Sequence, residues 1–197
     1  MRYDADHKQQ TRERVLKEAA KAIRAEGPHK IGVAAVMAKA GLTHGGFYAH
    51  FESKDDFVAQ AIGQMFEESG VQLKRSLDGR QPAEGLATYL DFYLSAAHRD
   101  TRTQGCPLPF LAADAPRLTP VSRERYAHGV AVLEGRLAAT LSQLGWADAD
   151  DLAGSTLAEL VGALGLARAE PDVARSDQIL ARSKASLKRR LGLEAYL

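Results

Sequence analysis

A single glycine, Gly41, separates two short apolar periodicities and so dictates how this stretch of chain must turn. Before it, Val33, Val36, Met37 and Ala40 recur at three- and four-residue spacing, the pattern of one buried face on a short helix. Gly41 supplies the left-handed residue that ends such a helix, and Leu42 fills the corner. After it, Thr43 is a suitable N-cap for a second short helix, whose Phe47 and Phe51, one turn apart, form a single buried face. His44 and Tyr48 are left on the outside. Ser53 and Asp56 then make an S-x-x-D pair that starts a third helix at Lys54. Helix, glycine turn and helix together form the layout of a helix-turn-helix that docks on DNA.

The outward face departs from what helix stability alone selects. Gly45 and Gly46 each cost roughly 1 kcal/mol relative to alanine inside a helix, and close approach to another surface accounts for them. Lys54 stands at the positive end of the helix dipole, unfavourable by roughly 0.3–1 kcal/mol. An anion reverses that sign, because exposed amides, dipole and ammonium together make a phosphate-binding site. The bland reading is a loop at Gly45-Gly46 and a solvated lysine. It serves for either feature alone, whereas DNA binding accounts for both. Net charge is only +1, which argues against an indiscriminate polyanion binder, but the distribution is uneven. Residues 1–54 carry ten Lys and Arg against six Asp and Glu, and the remainder sixteen against nineteen. Four of the six histidines, His7, His29, His44 and His50, lie in that basic segment and add to its field when protonated.

The run Gly41-Leu42-Thr43-His44-Gly45-Gly46-Phe47-Tyr48-Ala49-His50-Phe51-x-Ser53-Lys54 resembles the signature of TetR/AcrR-family repressors, and the likeness is sharp from Thr11 to Phe57. Gly105-Cys106 and the helix expected after them resemble the branch that includes the N-ethylmaleimide-responsive repressor. The resemblance implies a dimeric, wholly helical regulator that a small molecule, bound in the C-terminal domain, releases from its double-stranded operator. By position it places Thr43, Tyr48, His50 and Lys54 on phosphates, and His44 and Gly45 nearest base edges. Gly32 departs from the pattern, since many members have Ser or Thr there to cap the second helix and touch phosphate.

The remaining chain reads as helix throughout. A first helix is expected from Thr11 to Ala25, with Val15, Leu16, Ala19, Ala20 and Ile23 buried and Gly27-Pro28 as its stop. A long helix follows from Ser53 to Leu77, then a loop at Asp78-Gly79-Arg80-Gln81-Pro82 and an amphipathic helix carrying Leu86, Tyr89, Leu90, Tyr93 and Leu94. Cys106-Pro107 and Pro116 bracket a short helix, and Pro120 begins a longer one that Gly145 closes. The last two helices are expected over 151–169 and 176–191. No strand-like alternation occurs, so the expected fold is all-α. Its parts are a three-helix helix-turn-helix domain over 1–52 and a helical ligand-binding and dimerisation domain over 53–197.

Two regions of the second domain carry candidate functions. Gly154, Ala158 and Gly162 recur every fourth residue, a stripe that admits close helix approach, and with Leu180 and Leu187 they suit either a dimer interface or the protomer core. The resemblance favours the dimer. Phe66, Tyr89, Phe92, Tyr93 and Phe110 place aromatics on helices expected to face one another, and the resemblance makes them, with Cys106, the lining of a pocket for a hydrophobic or electrophilic molecule. Pro107 at a first helical position would put the Cys106 sulfur at an N-cap, where thiolate is favoured, although a lone cysteine is more often inert packing. A cysteine enzyme built from Cys106, His98 and Asp100 lacks any oxyanion signature, and no metal-ligand pair or cofactor is called for. A helical carrier or scaffold without DNA binding is the better rival, and an electrophoretic shift on genomic fragments separates the two. The polar start Met1-Arg2-Tyr3-Asp4 and the short apolar runs lead us to expect a cytoplasmic protein without a membrane span.

Overall fold

The computed structural model describes residues 2–196, with side chains from Asp6 onward; Met1 and Leu197, the outer ends of the expected domain ranges, lie outside them. Among the described residues every regular element is helical: α1 (Arg2–Glu26), α2 (Val33–Lys39), a 3₁₀ recognition helix (His44–Ala49), α3 (Lys54–Leu77) and α4 (Pro82–Tyr93). After these come α5 (Ala96–Asp100), α6 (Leu108–Leu111), α7 (Pro120–Gln143), α8 (Ala149–Ala169) and α9 (Val173–Arg190), with short 3₁₀ turns at Ala115–Arg117 and Glu194–Tyr196. By packing, residues 1–67 and 103–129 form one compact unit, and residues 68–102 and 130–197 a second. The chain passes between them within the continuous helices α3 and α7. No described helix is long and apolar enough to cross a membrane.

In the first unit, α1 buries the expected stripe of Val15, Leu16, Ala19, Ala20 and Ile23. It begins at Arg2 rather than Thr11, since the residues before Thr11 contain no helix breaker and a polar extension needs no apolar face. Gly27, at φ +88°, ends it and accepts no side chain without strain. Arg24 on α1 is almost fully buried, and it donates from Nε to the Gly105 carbonyl (3.1 Å) and from Nη2 to the Met65 carbonyl (3.4 Å). One guanidinium thus fastens α1 to α3 and to the segment that leads into α6. The first half of α7 crosses the Phe66 ring at Gly129, so closely that a methyl group there would overlap the ring.

In the second unit, α9 packs along α8 and against α4. Leu180 and Leu187, considered from sequence for a dimer interface, are instead buried in this unit's own core, because the apolar face of α9 is consumed by its neighbours. Lys188 is also buried, and its ammonium is satisfied by Asp91 of α4 (2.8 Å) and the Tyr196 carbonyl (2.5 Å). Asp172 caps α9 by accepting from the Arg175 amide (2.9 Å), so the helix starts at Val173 rather than Ser176. The five-residue α5 was not foreseen from sequence. It is too short for periodicity and is held by a tertiary cap: Arg168 of α8 donates to the carbonyls of His98 (2.9 Å) and Arg99 (3.1 Å).

Two glycines of α7 give opposite expectations. Gly129→Ala should destabilise the protein by about 1–3 kcal/mol through overpacking on Phe66. Gly135→Ala, where an added Cβ meets open space, should be neutral or stabilising by up to about 1 kcal/mol. Urea denaturation midpoints of the two variants check this.

Candidate nucleic-acid interface

The corner forms as its residues demand. Gly41 adopts φ +74°, the Leu42 amide donates back to the Met37 carbonyl (2.9 Å), and Val36, Met37 and Ala40 are buried beneath it. The helix that follows is a 3₁₀ helix rather than an α-helix. Gly46 N–H donates to Thr43 O (3.1 Å) and His50 N–H to Phe47 O (3.0 Å), the tighter i→i+3 closure that short segments adopt. Thr43 occupies the N-cap position with extended backbone, but its hydroxyl makes no capping bond. That hydroxyl is left on the surface. Phe47 is buried and meets Phe51 at 5.3 Å and, edge to face, Phe57 at 5.4 Å between ring centroids. Tyr48, on the opposite side, is 74% exposed, and His44 and Gly45 are exposed beside it.

Gly45 and Gly46 are not required by the fold. Neither has a positive φ, a Cβ at Gly45 meets nothing within 4 Å, and at Gly46 the nearest atoms, on Met37 and Thr43, stand 3.8 and 4.0 Å away. Gly45 is exposed, so the space it leaves open is on the surface. The start of α3 is built as the S-x-x-D spacing predicts, with the Asp56 amide donating to Ser53 Oγ (3.0 Å). The Asp56 carboxylate in turn accepts from the Glu52 amide (3.2 Å), one residue earlier than in a standard capping box. Lys54 is exposed, and among the described residues its ammonium has no ion-pair or hydrogen-bond partner. His50 caps the recognition helix; its Nδ1 is buried without a hydrogen-bond partner. Burial, and then the charges of Lys8 and Arg12, hold its pKa below the usual histidine value. Thr43, His44, Gly45, Tyr48, His50 and Lys54 are thus brought together within one corner of the first unit.

Residues 15–61 match the family model of bacterial regulatory proteins of the tetR family. Over the whole length the chain is similar to a TetR transcriptional regulator from Chloroflexus aurantiacus J-10-FL, with 27% identity, a TM-score of 0.79, and 95% of this chain and 96% of that one covered. It is also similar to NemR of E. coli in its reduced form (20% identity, TM-score 0.80, coverage 91% and 96%). A TetR-family regulator from Agrobacterium tumefaciens gives 22% identity, a TM-score of 0.75, and coverage of 91% and 98%. No curated protein sequence matches. Residues 15–61 are thus a tetR-family DNA-binding domain, and the whole chain has the fold of TetR/AcrR-family regulators. Its helix-turn-helix is the DNA-binding element of that family, and the remainder has the family's helical fold.

For a TetR/AcrR chain the expected pocket residues fall into two groups. Phe66, Cys106 and Phe110 belong to the first unit, where Phe66 meets Tyr126 of α7 edge to face (5.8 Å). Burial, helped by the neighbouring Cys106, pushes the Tyr126 pKa up. Tyr126 was missed from sequence, although Ser122, Tyr126, Gly129 and Leu133 stand at helical spacing on α7. Tyr89, Phe92 and Tyr93 belong to the second unit; Phe92 and Tyr93 gather on one buried histidine, and Tyr89 meets the Tyr93 ring edge to face (5.7 Å). His98 stacks on Phe92 (5.0 Å), meets Tyr93 edge to face, and bonds through Nδ1 to the Tyr93 carbonyl (2.8 Å). Asp100 is paired with Arg99 (2.8 Å).

Cys106 is buried, and the N-cap of α6 is Pro107. The sulfur therefore lies one residue before the position expected from sequence, because the bend at Pro107 delays a helix of only four residues. On α8 Gly154 is half-buried, while Ala158, Gly162 and the adjacent Leu166 are exposed.

Substitution at Gly45 separates fold from function. Gly45→Ala should leave the melting temperature unchanged or raised, since its Cβ meets nothing, and should weaken DNA binding about tenfold or more. Thermal unfolding and fluorescence anisotropy on a bound fragment measure the two.

Proposed function

We propose that the protein is a cytoplasmic repressor that holds its operator as a two-fold dimer and is released by a small hydrophobic molecule. One observation carries this reading. The outward surface of the recognition corner presents an unused hydroxyl at Thr43, the exposed Tyr48, an unpaired Lys54 at a helix start, and two glycines the fold does not need. Phosphate accounts for the first three and close approach to base edges for the last. Residues 1–52 act as the reading head and 53–197 as the regulatory part. The stripe of half-buried Gly154 and exposed Ala158 and Gly162, beside exposed Leu166, supports a partner protomer on α8. Two recognition helices then enter successive major grooves of a pseudo-palindrome, roughly 34 Å apart or somewhat more.

Release is proposed to run through α3, which carries Lys54 at one end and Phe66 in its middle. A ligand lodged at Phe66, Phe110 and Cys106 would press on α3, and the Arg24 bonds to the Met65 and Gly105 carbonyls would carry that displacement to α1. The aromatic set Tyr89, Phe92 and Tyr93 of the second unit is proposed as a separate candidate for ligand contact. The burial of Cys106 favours a noncovalent ligand over an electrophile.

Operator fragments selected from genomic DNA test this directly. Lys54→Ala should weaken binding to all fragments about equally and reduce the slope of affinity against salt by about one. His44→Ala should instead change the preference among base pairs. Unchanged affinity for Lys54→Ala at low salt would remove the anchor assignment. N-ethylmaleimide should modify Cys106 slowly in the native protein and rapidly in urea. Selective release of DNA from the wild type, but not from Cys106→Ser, would replace the hydrophobic ligand with an electrophile.

A further inference from the structure

The start of α3 is not held by its own cap alone. Arg12, on α1, donates from Nη2 to Gln60 Oε1, and Gln60 Nε2 donates to Asp56 Oδ1 (2.7 Å). The other oxygen of Asp56 accepts from the Glu52 amide (3.2 Å). Each bond uses a different atom, so the polarity of the Gln60 amide is set at both ends. The Arg12 guanidinium also lies 5.6 Å from the centroid of the buried Phe51 ring, in cation–π range. Arg12 therefore reaches both sides of the turn between the recognition helix and α3, and that turn supports His50 and Lys54.

We propose that Arg12 is a positioning residue for DNA binding: through Gln60 and Asp56 it sets the turn at 50–54 in the geometry that meets the DNA backbone, without touching DNA itself. The proposal rests on the DNA-binding reading and adds to it a residue on another helix. Phosphate recognition by a helix start depends on where the amides and the ammonium stand, and a polar relay anchored on α1 fixes that placement before DNA arrives. Asp56 would otherwise be free to swing its carboxylate toward Lys54 or toward incoming phosphate, where a negative charge opposes binding. Gln60 ties it back.

Two variants separate positioning from direct contact. Gln60→Met removes the relay and leaves every charge in place, whereas Arg12→Met removes both relay and charge. Both should weaken operator binding by about three- to tenfold, the factor corresponding to one hydrogen bond's net contribution. Gln60→Met should do so with an unchanged salt slope, and the double variant should be no weaker than Arg12→Met alone. Hydrogen exchange at the Glu52 and Asp56 amides, measured without DNA, should accelerate in both variants.

The histidine titration provides a further readout, which a general loss of stability would not move. His50 faces Lys8 and Arg12, whose charges lower its pKa after burial does. Its NMR titration midpoint should therefore rise in Arg12→Met and stay in place in Gln60→Met. Wild-type exchange and affinity in Gln60→Met, together with a salt slope reduced by about one in Arg12→Met, would overturn the proposal and make Arg12 a phosphate contact. Wild-type protein that binds no genomic fragment while the exchange difference persists would overturn the DNA-binding reading and leave the relay as a purely structural fastening.

Discussion

A six-residue 3₁₀ helix with two glycines cannot sustain its own shape, because nucleating a helical turn costs more than so few hydrogen bonds return. What holds it is Phe47. Its ring is buried against Phe51 and Phe57, so the recognition helix is a lid on an aromatic cluster whose third member belongs to α3. Burying an aromatic ring of this size contributes on the order of 2–3 kcal/mol, more than the two glycines cost. The outward surface is thereby released from any structural duty. Tyr48 can stay exposed and Gly45 can stay bare because stability is settled on the opposite face.

The same cluster explains why the DNA-facing corner and α3 move as one object. Phe57 lies in the first turn of α3, one turn beyond Lys54, and Asp56 closes the cap between them. Displacement of α3 along or about its axis must carry Phe57, and with it the floor under Phe47. The buried Arg24 adds a second fastening within the same unit by donating to two backbone carbonyls. Backbone carbonyls move only with their helix or loop. A guanidinium held by them fixes the relative position of α1, α3 and the segment before α6.

Periodicity served well where an element was long enough to show it. The buried stripe of α1, the start of α3 at Lys54, the glycine corner and the apolar face of α4 were all legible, since each follows from local rules of spacing, capping and φ. The misreadings share a cause. α1 starts earlier than its apolar stripe because a polar extension has no apolar signal, and α5 is too short for periodicity, with its last carbonyls held by Arg168, far along the chain. Leu180 and Leu187 fitted two partners equally well on periodicity, and only the packing of α9 showed that the protomer itself takes them. Tyr126 stood on a readable stripe, but nothing local marks which face of α7 meets Phe66.

What this sequence determines by itself is the helix-turn-helix: a residue able to take positive φ at the corner, aromatics one turn apart, and an S-x-x-D start are enough to bend the chain one way. These are interactions among neighbours, and neighbours are written consecutively. Tertiary structure alone decided that the recognition helix tightens to 3₁₀, that Thr43 leaves its hydroxyl unused, that Cys106 is buried, and that Arg12 reaches Asp56 through Gln60. Each depends on which distant side chain fills the adjoining space. Spacing along the chain carries no record of that until the helices have packed.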